Sequence, residues 1–413
     1  MTDDPVTAVV LAAGEGRRLE PLTNRRPKPM LPVANRPILE YVIEAISDAG
    51  IDRIVLVVGY RQERIRNHVG DGDDWDVDVE YVEQANQLGT GHALLQAEPA
   101  VDDRFVVLNG DRLVDADLVG RVREETRDGK APVMTVTDVD HPGDYGVVAL
   151  DDRDRVTGID EKPEGPVHTS RINAGVYGFT ADVFDAIRGT SPAGELALTD
   201  TLDRIAGEDP ITAIGYRGRW LDVSYLWDLL RVNASLVGAE SGADTGSESG
   251  VQSGTAFDAE SDVQSVSEPD AESAPGVADD VVVGTDVRLG KNAVVGGGSA
   301  LGENATIGAN AVVEGSVVFP DAVIEPGAVV RDAVVAGNAR VGANATIAGG
   351  RATVIVDDEV HADVTLGGVV GDNATVGGGA TLVPGTVLGD ASRVDPGAVV
   401  SGTIEPDAVV RRG

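Results

Sequence analysis

No cysteine occurs in the 413-residue chain, which excludes disulfides, thiolate nucleophiles and thiolate metal sites. Lysine is nearly missing: Lys28, Lys130, Lys162 and Lys291 are all there are. Positive charge is scarce in general, with 33 basic residues against 69 acidic and a net charge of −36. A field of that sign repels nucleic acid and anionic membrane, so neither is expected as a partner. No apolar run reaches the roughly 18 residues of a membrane-spanning helix. The opening MTDDPVTAVV is acidic and lacks the basic region and cleavage site of an export signal, so a cytoplasmic location is expected. The acidity is spread along the whole chain. It fits a cytoplasm of high salt, where self-repulsion is screened and carboxylates keep the surface hydrated.

What is present falls into three regions. Residues 1–237 alternate strand-like and helix-like segments. Strands are expected at Val6–Ala12, Arg53–Gly59 and Arg104–Leu108, and helices at Ile38–Ala49, Arg61–Val69 and Gly91–Glu98. Such alternation implies a doubly wound α/β domain with a mostly parallel sheet, whose ligands bind beyond the carboxyl ends of the strands. Residues 238–280 carry 11 acidic residues, no basic ones and a single aromatic, Phe257, in a Ser/Gly-rich background. That composition cannot offset its ordering entropy and is expected to be a disordered linker.

Residues 281–413 repeat every six. Inward positions are expected at Val283, Leu289, Val295, Leu301, Ile307, Val313 and Phe319, then in a second phase at Val364, Val370, Val376, Leu382, Leu388, Val394 and Val400. Gly, Asn and Asp at the intervening corners tolerate the left-handed backbone that a sharp corner needs. The period fits a parallel β-helix of roughly seven coils. The repeats resemble the left-handed β-helix hexapeptide family. The N-A-T triplets at Asn304, Asn344 and Asn373 are accounted for as corners and not as glycosylation sites.

The chemistry concentrates in LAAGEGRRLEPLTNRRPKPMLPV, Leu11–Val33, directly after the first strand. Gly14 and Gly16 bring backbone N–H groups to a phosphate, and Arg17 and Lys28 supply cations against charge that builds up during phosphoryl transfer. The third glycine of a dinucleotide fingerprint is absent, as is the Gly-Lys-Ser/Thr of a P-loop.

That block, with the motifs that follow it in order, resembles the sugar-nucleotide pyrophosphorylases over residues 1–236. The resemblance implies transfer of a nucleoside monophosphate from UTP or dTTP to a sugar 1-phosphate, with pyrophosphate released and Mg²⁺ required. It implies nucleotide contacts from Leu11, Ala13, Gly14, Gly16, Gln84, Gly89 and Thr90, with Gln84 and Gly89 reading the base. It implies sugar-phosphate contacts from Asn109, Gly146, Glu161, Lys162, Asn173 and Glu195, and metal ligation by Asp111 and Asp222. Catalytic roles fall to Arg17 and Lys28. A sugar phosphate is already an anionic nucleophile, so no general base is needed and positioning does most of the work. The segment Gly89-Thr90-Gly91-His92-Ala93 resembles the uridylyltransferases that use N-acetylglucosamine 1-phosphate, with glucose 1-phosphate the alternative. His92 is read as a packing or capping residue.

Two other readings stay open. In the bifunctional N-acetylglucosamine-1-phosphate uridylyltransferases a similar β-helix also acetylates glucosamine 1-phosphate with acetyl-CoA. Here the repeats hold one histidine, His361, and the tract around it is shorter than in that family, so His361 is a weak candidate for the base. A non-catalytic regulatory or scaffold subunit would share the same two domains. A homotrimer or larger homo-oligomer through the β-helix is expected on the same resemblance.

Overall fold

The computed structural model describes residues 6–163, 165–190, 194–242, 276–357 and 359–413. The expected linker falls largely outside the described residues. Its edges do not: the last helix runs on to Gly242, and the first coil strand begins at Gly276. The chain forms two compact units. One holds the segment ending at Glu15, Arg25–Leu31 and Pro37–Asp222. The other holds Gly16–Asn24, Pro32–Arg36 and everything from Val223 onward.

The elements run β1 (Thr7–Ala12), β2 (Pro32–Val33), β3 (Arg36–Pro37), α1 (Ile38–Asp48), β4 (Arg53–Val58), α2 (Gln62–Val69), β5 (Asp78–Glu83) and α3 (Thr90–Ala97). They continue with β6 (Arg104–Asn109), β7 (Arg112–Val114), α4 (Ala116–Arg127), β8 (Val133–Asp138), β9 (Gly146–Leu150), β10 (Arg155–Glu161) and β11 (Arg171–Thr180). The series closes with α5 (Asp182–Arg188), α6 (Leu198–Glu208), β12 (Ile211–Gly215), β13 (Trp220–Asp222) and α7 (Leu226–Gly242).

Nine strands of the first unit make one sheet in the order β5-β4-β1-β6-β11-β8-β12-β10-β9. The half from β5 to β6 is parallel, as the buried runs of Val, Ile and Leu in β1, β4 and β6 imply. Beyond it β11 runs antiparallel to both β6 and β8. The parallel expectation therefore holds for the N-terminal half, while the second half is mixed. Two apolar clusters, one on each face, enclose the sheet: Leu39, Val42, Ile43 and Ile46 of α1 pack in one, and Leu94, Phe184 and Leu202 in the other.

In the second unit, three parallel sheets of seven strands each build the left-handed β-helix. Val295, Leu301, Ile307 and Val313 point inward and are buried, as the six-residue period requires. The phase then slips by one. The corner before Val317 holds Gly315-Ser316, where the previous coil holds Gly297-Gly298-Ser299, so Val318 takes the inward place expected for Phe319 and pairs with Val335. A second correction concerns Val364. It does not anchor a coil but pairs with Ala352 in an antiparallel hairpin of strands Arg351–Val356 and Glu359–Thr365. The hairpin leaves the coil at Gly350 and rejoins it at Leu366, whose N–H donates to the Gly350 carbonyl at 3.1 Å. Asn304, Asn344 and Asn373 all take left-handed φ values of 56–59° at corners.

Candidate active site

β1 and β6 lie side by side, with Leu11 opposite Asn109, and the chain turns away from the sheet just beyond both. The Gly110 N–H donates to the Leu11 carbonyl at 2.9 Å and ties the two exits together. In the loop after β1 a side chain at Gly14 would meet nothing within 4 Å, so packing does not demand glycine there. A bare backbone beside open space suits close approach of a phosphate. Ala13 is held from the other side, its carbonyl accepting from Gln87 Nε2 at 3.0 Å. Gly16 and Arg17 belong to the segment that packs in the second unit. There Gly16 is left-handed (φ 73°), and its carbonyl accepts from Thr23 Oγ1 at 2.9 Å. In the same segment Arg18 pairs with Asp357 at 3.0 Å and lies over the Tyr225 ring.

The charged centre of the first unit gathers four side chains. Lys28 stands between two prolines, Pro27 and Pro29, that fix its approach. Its Nζ lies 2.5 Å from Asp111 Oδ2 and 3.8 Å from Asp222 Oδ1. Asp111 follows β6, and Asp222 ends β13, which pairs antiparallel with β7 so that Asp222 faces Arg112. Arg112 Nη1 is 2.6 Å from the fully buried Asp222 and its Nε 3.8 Å from Asp111. The guanidinium also packs against Trp220 and Tyr145. Burial works to raise the Asp111 carboxyl, but Lys28 and Arg112 outweigh it and hold the group at about 2. The same two carboxylates push the Arg112 guanidinium further up, against the opposing effect of burial. Asp111 is thus held ionised, the state a hard cation requires. Among the described residues no group of three or more His, Asp or Glu is placed to hold a metal ion by itself. A cation here would complete its shell with phosphate oxygens and water.

Gln84 follows β5 and is 4% exposed. Its Nε2 donates to the Gly89 carbonyl at 3.1 Å and lies 2.9 Å from His92 Nδ1. Gly89 has φ 99°, and a Cβ there would sit 2.5 Å from the Leu196 carbonyl oxygen, so only glycine fits. The segment before α6 docks on this loop: Gly91 N–H donates to Leu196 O at 2.8 Å, and Thr90 Oγ1 accepts from Leu198 N at 2.9 Å. Glu195, one residue earlier, is exposed.

A third group lies on β9–β11. Gly146 pairs with Glu161, and a Cβ at Gly146 would meet Glu161 Oε2 at 2.8 Å. Lys162, with φ 50°, donates its N–H to the Tyr145 carbonyl. Asn173 Nδ2 donates to Tyr177 Oη at 2.6 Å, and its Oδ1 accepts from Gly175 N–H. A Cβ at Gly175 would meet Asn109 Nδ2 at 2.9 Å, which places Asn109 beside this group. Trp220 Nε1 donates to the Ala174 carbonyl and links the group to β13.

Sequence reasoning missed Arg112. Its signal was an arginine directly after Asn109-Gly110-Asp111, but its role depends on the β7–β13 pairing, which is non-local. His361 was expected as a candidate base. It stands in the hairpin with its side chain 16% exposed, its ring 4.6 Å from Tyr225 and 5.1 Å from Trp227, and its Nε2 buried. A general base must reach the proton it removes. The His361 Nε2 is buried without a hydrogen-bond partner, 3.9 Å from Glu359 Oε2, while the ring packs beside two aromatic rings.

Comparison with known proteins gives the following. The family described as nucleotidyl transferase matches residues 7–237. The family described as GMPPB C-terminal domain matches residues 277–367, and the hexapeptide repeat of succinyl-transferase matches residues 369–401. The chain is 40% identical over 232 residues to the bifunctional protein GlmU of Methanocaldococcus jannaschii, covering 56% of this chain and 54% of that one. It is 38% identical over 237 residues to the glucose-1-phosphate thymidylyltransferase of Streptomyces antibioticus, covering 56% and 66%. It is 36% identical over 230 residues to the low-salt glycan biosynthesis nucleotidyltransferase Agl11 of Haloferax volcanii, covering 54% and 64%. The matched stretch spans little more than half the length of the first of these relatives. Among solved structures, a putative glucose-1-phosphate thymidylyltransferase from Bacillus anthracis in complex with a sucrose superposes with a TM-score of 0.52 at 29% identity, covering 56% of this chain and 94% of that one.

Proposed function

The chain belongs to the nucleotidyl transferase family, and from that premise we propose that it transfers a nucleoside monophosphate from UTP or dTTP to a sugar 1-phosphate, releasing pyrophosphate. The observation that carries the reading is the pair of carboxylates, Asp111 and Asp222, held between Lys28 and Arg112 at the carboxyl edge of the sheet. N-acetylglucosamine 1-phosphate is the first choice of sugar and glucose 1-phosphate the second.

The roles assigned here are those that the resemblance implies. The backbone from Leu11 through Ala13 and Gly14 to Gly16, with Arg17, receives the triphosphate. Gln84, Gly89 and Thr90 hold the base. Asn109, Gly146, Glu161, Lys162, Asn173 and Glu195 receive the sugar phosphate. Lys28 neutralises charge on the transferred phosphoryl group. Enzymes of this family generally use a divalent metal. Mg²⁺ suits this centre, with Asp111 and Asp222 to hold it and the ion supplying Lewis-acid stabilisation of phosphate charge. In the β-helix, the outward row of one sheet runs Val294, Val312, Val329, Thr346, Thr381 and Val399, and Val399 is 74% exposed. That row supports self-association through the β-helix as a homotrimer or larger homo-oligomer. No helix among the described residues is long and apolar enough to cross a membrane; a cytoplasmic location belongs to the same proposal.

Asp111→Asn tests the metal assignment. A neutral amide is a poor ligand for a hard cation. The variant should fold and lose at least the roughly 10- to 100-fold in metal affinity that removal of an outer partner costs. Turnover measured against Mg²⁺ concentration reads this out, and an unshifted curve contradicts it. The acetyltransferase reading is disfavoured by the enclosed Nε2 of His361. Acetyl-CoA and glucosamine 1-phosphate should give no thiol release above the blank, and the chain's own lack of cysteine leaves that background clean. Release that vanishes in His361→Ala would establish the second activity.

A further inference from the structure

We propose that His92 fixes the orientation of the Gln84 side-chain amide and thereby sets which pyrimidine triphosphate the chain accepts. This rests on Gln84 being a base-contacting residue.

A glutamine amide carries two N–H donors on its nitrogen and an acceptor on its oxygen. One Gln84 N–H goes to the Gly89 carbonyl at 3.1 Å. A carbonyl oxygen can only accept, so the nitrogen must face it. The second N–H points at His92 Nδ1, 2.9 Å away. Nδ1 therefore accepts and the imidazole proton sits on Nε2, so the 3.4 Å approach of Gln96 Nε2 to His92 Nε2 is a contact between two donors and not a hydrogen bond. The histidine is placed by α3, which it helps to open, and Gln96 on the next turn donates from Nε2 to the His92 carbonyl at 3.2 Å. Gly89 is equally fixed, since its φ of 99° and the Leu196 backbone beside it admit no side chain.

With both N–H groups used internally, the amide has only its oxygen left to offer. Among the described residues no donor is paired with Gln84 Oε1. An oxygen accepts from the N3–H of uracil or thymine. The N3 of cytosine is itself an acceptor and would stand lone pair to lone pair against it. A site that spends its donors this way selects imide bases without any further contact, because a mismatched partner leaves buried polar groups unpaired. Without an acceptor at the Nδ1 position, one amide N–H loses its internal partner. The amide can then turn that N–H toward the base, and discrimination weakens. His92 is accordingly a positioning residue that acts through Gln84.

The test uses the full-length protein, with initial rates for UTP and CTP over a concentration range. His92→Asn places a side-chain oxygen where Nδ1 stands, whereas His92→Gln places it where Nε2 stands. The asparagine variant should keep the UTP-to-CTP ratio of kcat/KM within about twofold. The glutamine variant should lower it about 3- to 10-fold, mainly through a raised KM for UTP. If His92→Gln does not fold, His92→Ala takes its place with the same expected drop. A glutamine or alanine variant that keeps the wild-type ratio, or an asparagine variant that loses as much as they do, overturns the proposal. Gln84→Ala separates the two layers. A ratio that collapses in Gln84→Ala but is untouched in His92→Gln fails the His92 inference alone. A ratio untouched in Gln84→Ala fails the base-contact reading, and the inference with it.

Discussion

Replacing Lys28 with alanine should cut turnover by about 10²–10³, the usual effect of losing one preorganised charge contact to a transition state. The four lysines of the chain are so few that one placed against both Asp111 and Asp222 is hard to assign to solubility. The side chain is 14% exposed, and the flanking prolines leave it little freedom. Folding should survive, because Arg112 still faces both carboxylates. The loss should therefore appear in kcat at saturating substrates, with the thermal midpoint little changed. A variant that turns over within about tenfold of the parent would remove Lys28 from phosphoryl transfer.

Arg112→Ala should do the opposite and strike stability first. Asp222 is fully buried, and its Oδ2 lies 2.6 Å from the guanidinium. Removing the nearer cation leaves this buried charge facing Lys28 only at 3.8 Å, and breaking such a buried pair costs about 3–5 kcal/mol. The pH dependence carries the same signature. In the parent the Asp111 carboxyl is held down at about 2, below its ordinary 3.8. A depressed carboxylate contributes stability that is fully present above its unfolded pKa and is lost as pH falls through the folded one. For Asp111 that loss runs from about pH 4 down to about pH 2. Without Arg112 the folded-state pKa rises toward the ordinary value, and less stability remains to be lost in that window. Urea midpoints between pH 2 and 5 would show this. A stability loss under about 1 kcal/mol at neutral pH would mean that Asp222 does not depend on Arg112.

The contrast between these residues shows what the sequence made legible. Lys28 and Asp111 stand in motifs that can be read along the chain, the first in a Pro-Lys-Pro turn and the second after an apolar strand. β1, β4 and β6 were legible for the same reason, as each is a continuous run of β-branched and aliphatic residues bounded by polar or glycine positions. Arg112 was not, because its meaning comes from a three-residue strand pairing with another more than a hundred residues away. The antiparallel course of β11 was hidden likewise, since direction is set by connections and not by composition. In the β-helix the period gave the coils, but a corner shortened by one residue moved the inward place from Phe319 to Val318 without breaking the pattern by eye. The surroundings of His361 were not legible, because its aromatic neighbours, Tyr225 and Trp227, are brought to it only by folding. His92 was passed over as a cap because the helix start explains it locally, while its contact to Gln84 crosses from one element to another.

Pyrophosphate release by the purified full-length chain tests the central claim most directly. The assay pairs each of UTP, dTTP, CTP, ATP and GTP with N-acetylglucosamine 1-phosphate or glucose 1-phosphate, with Mg²⁺, at high salt. Release should require the sugar phosphate and the metal together, should favour UTP or dTTP over the other triphosphates, and should yield the matching nucleotide sugar. Release that proceeds without any sugar phosphate, or no release with any pair while the protein is folded, would contradict it.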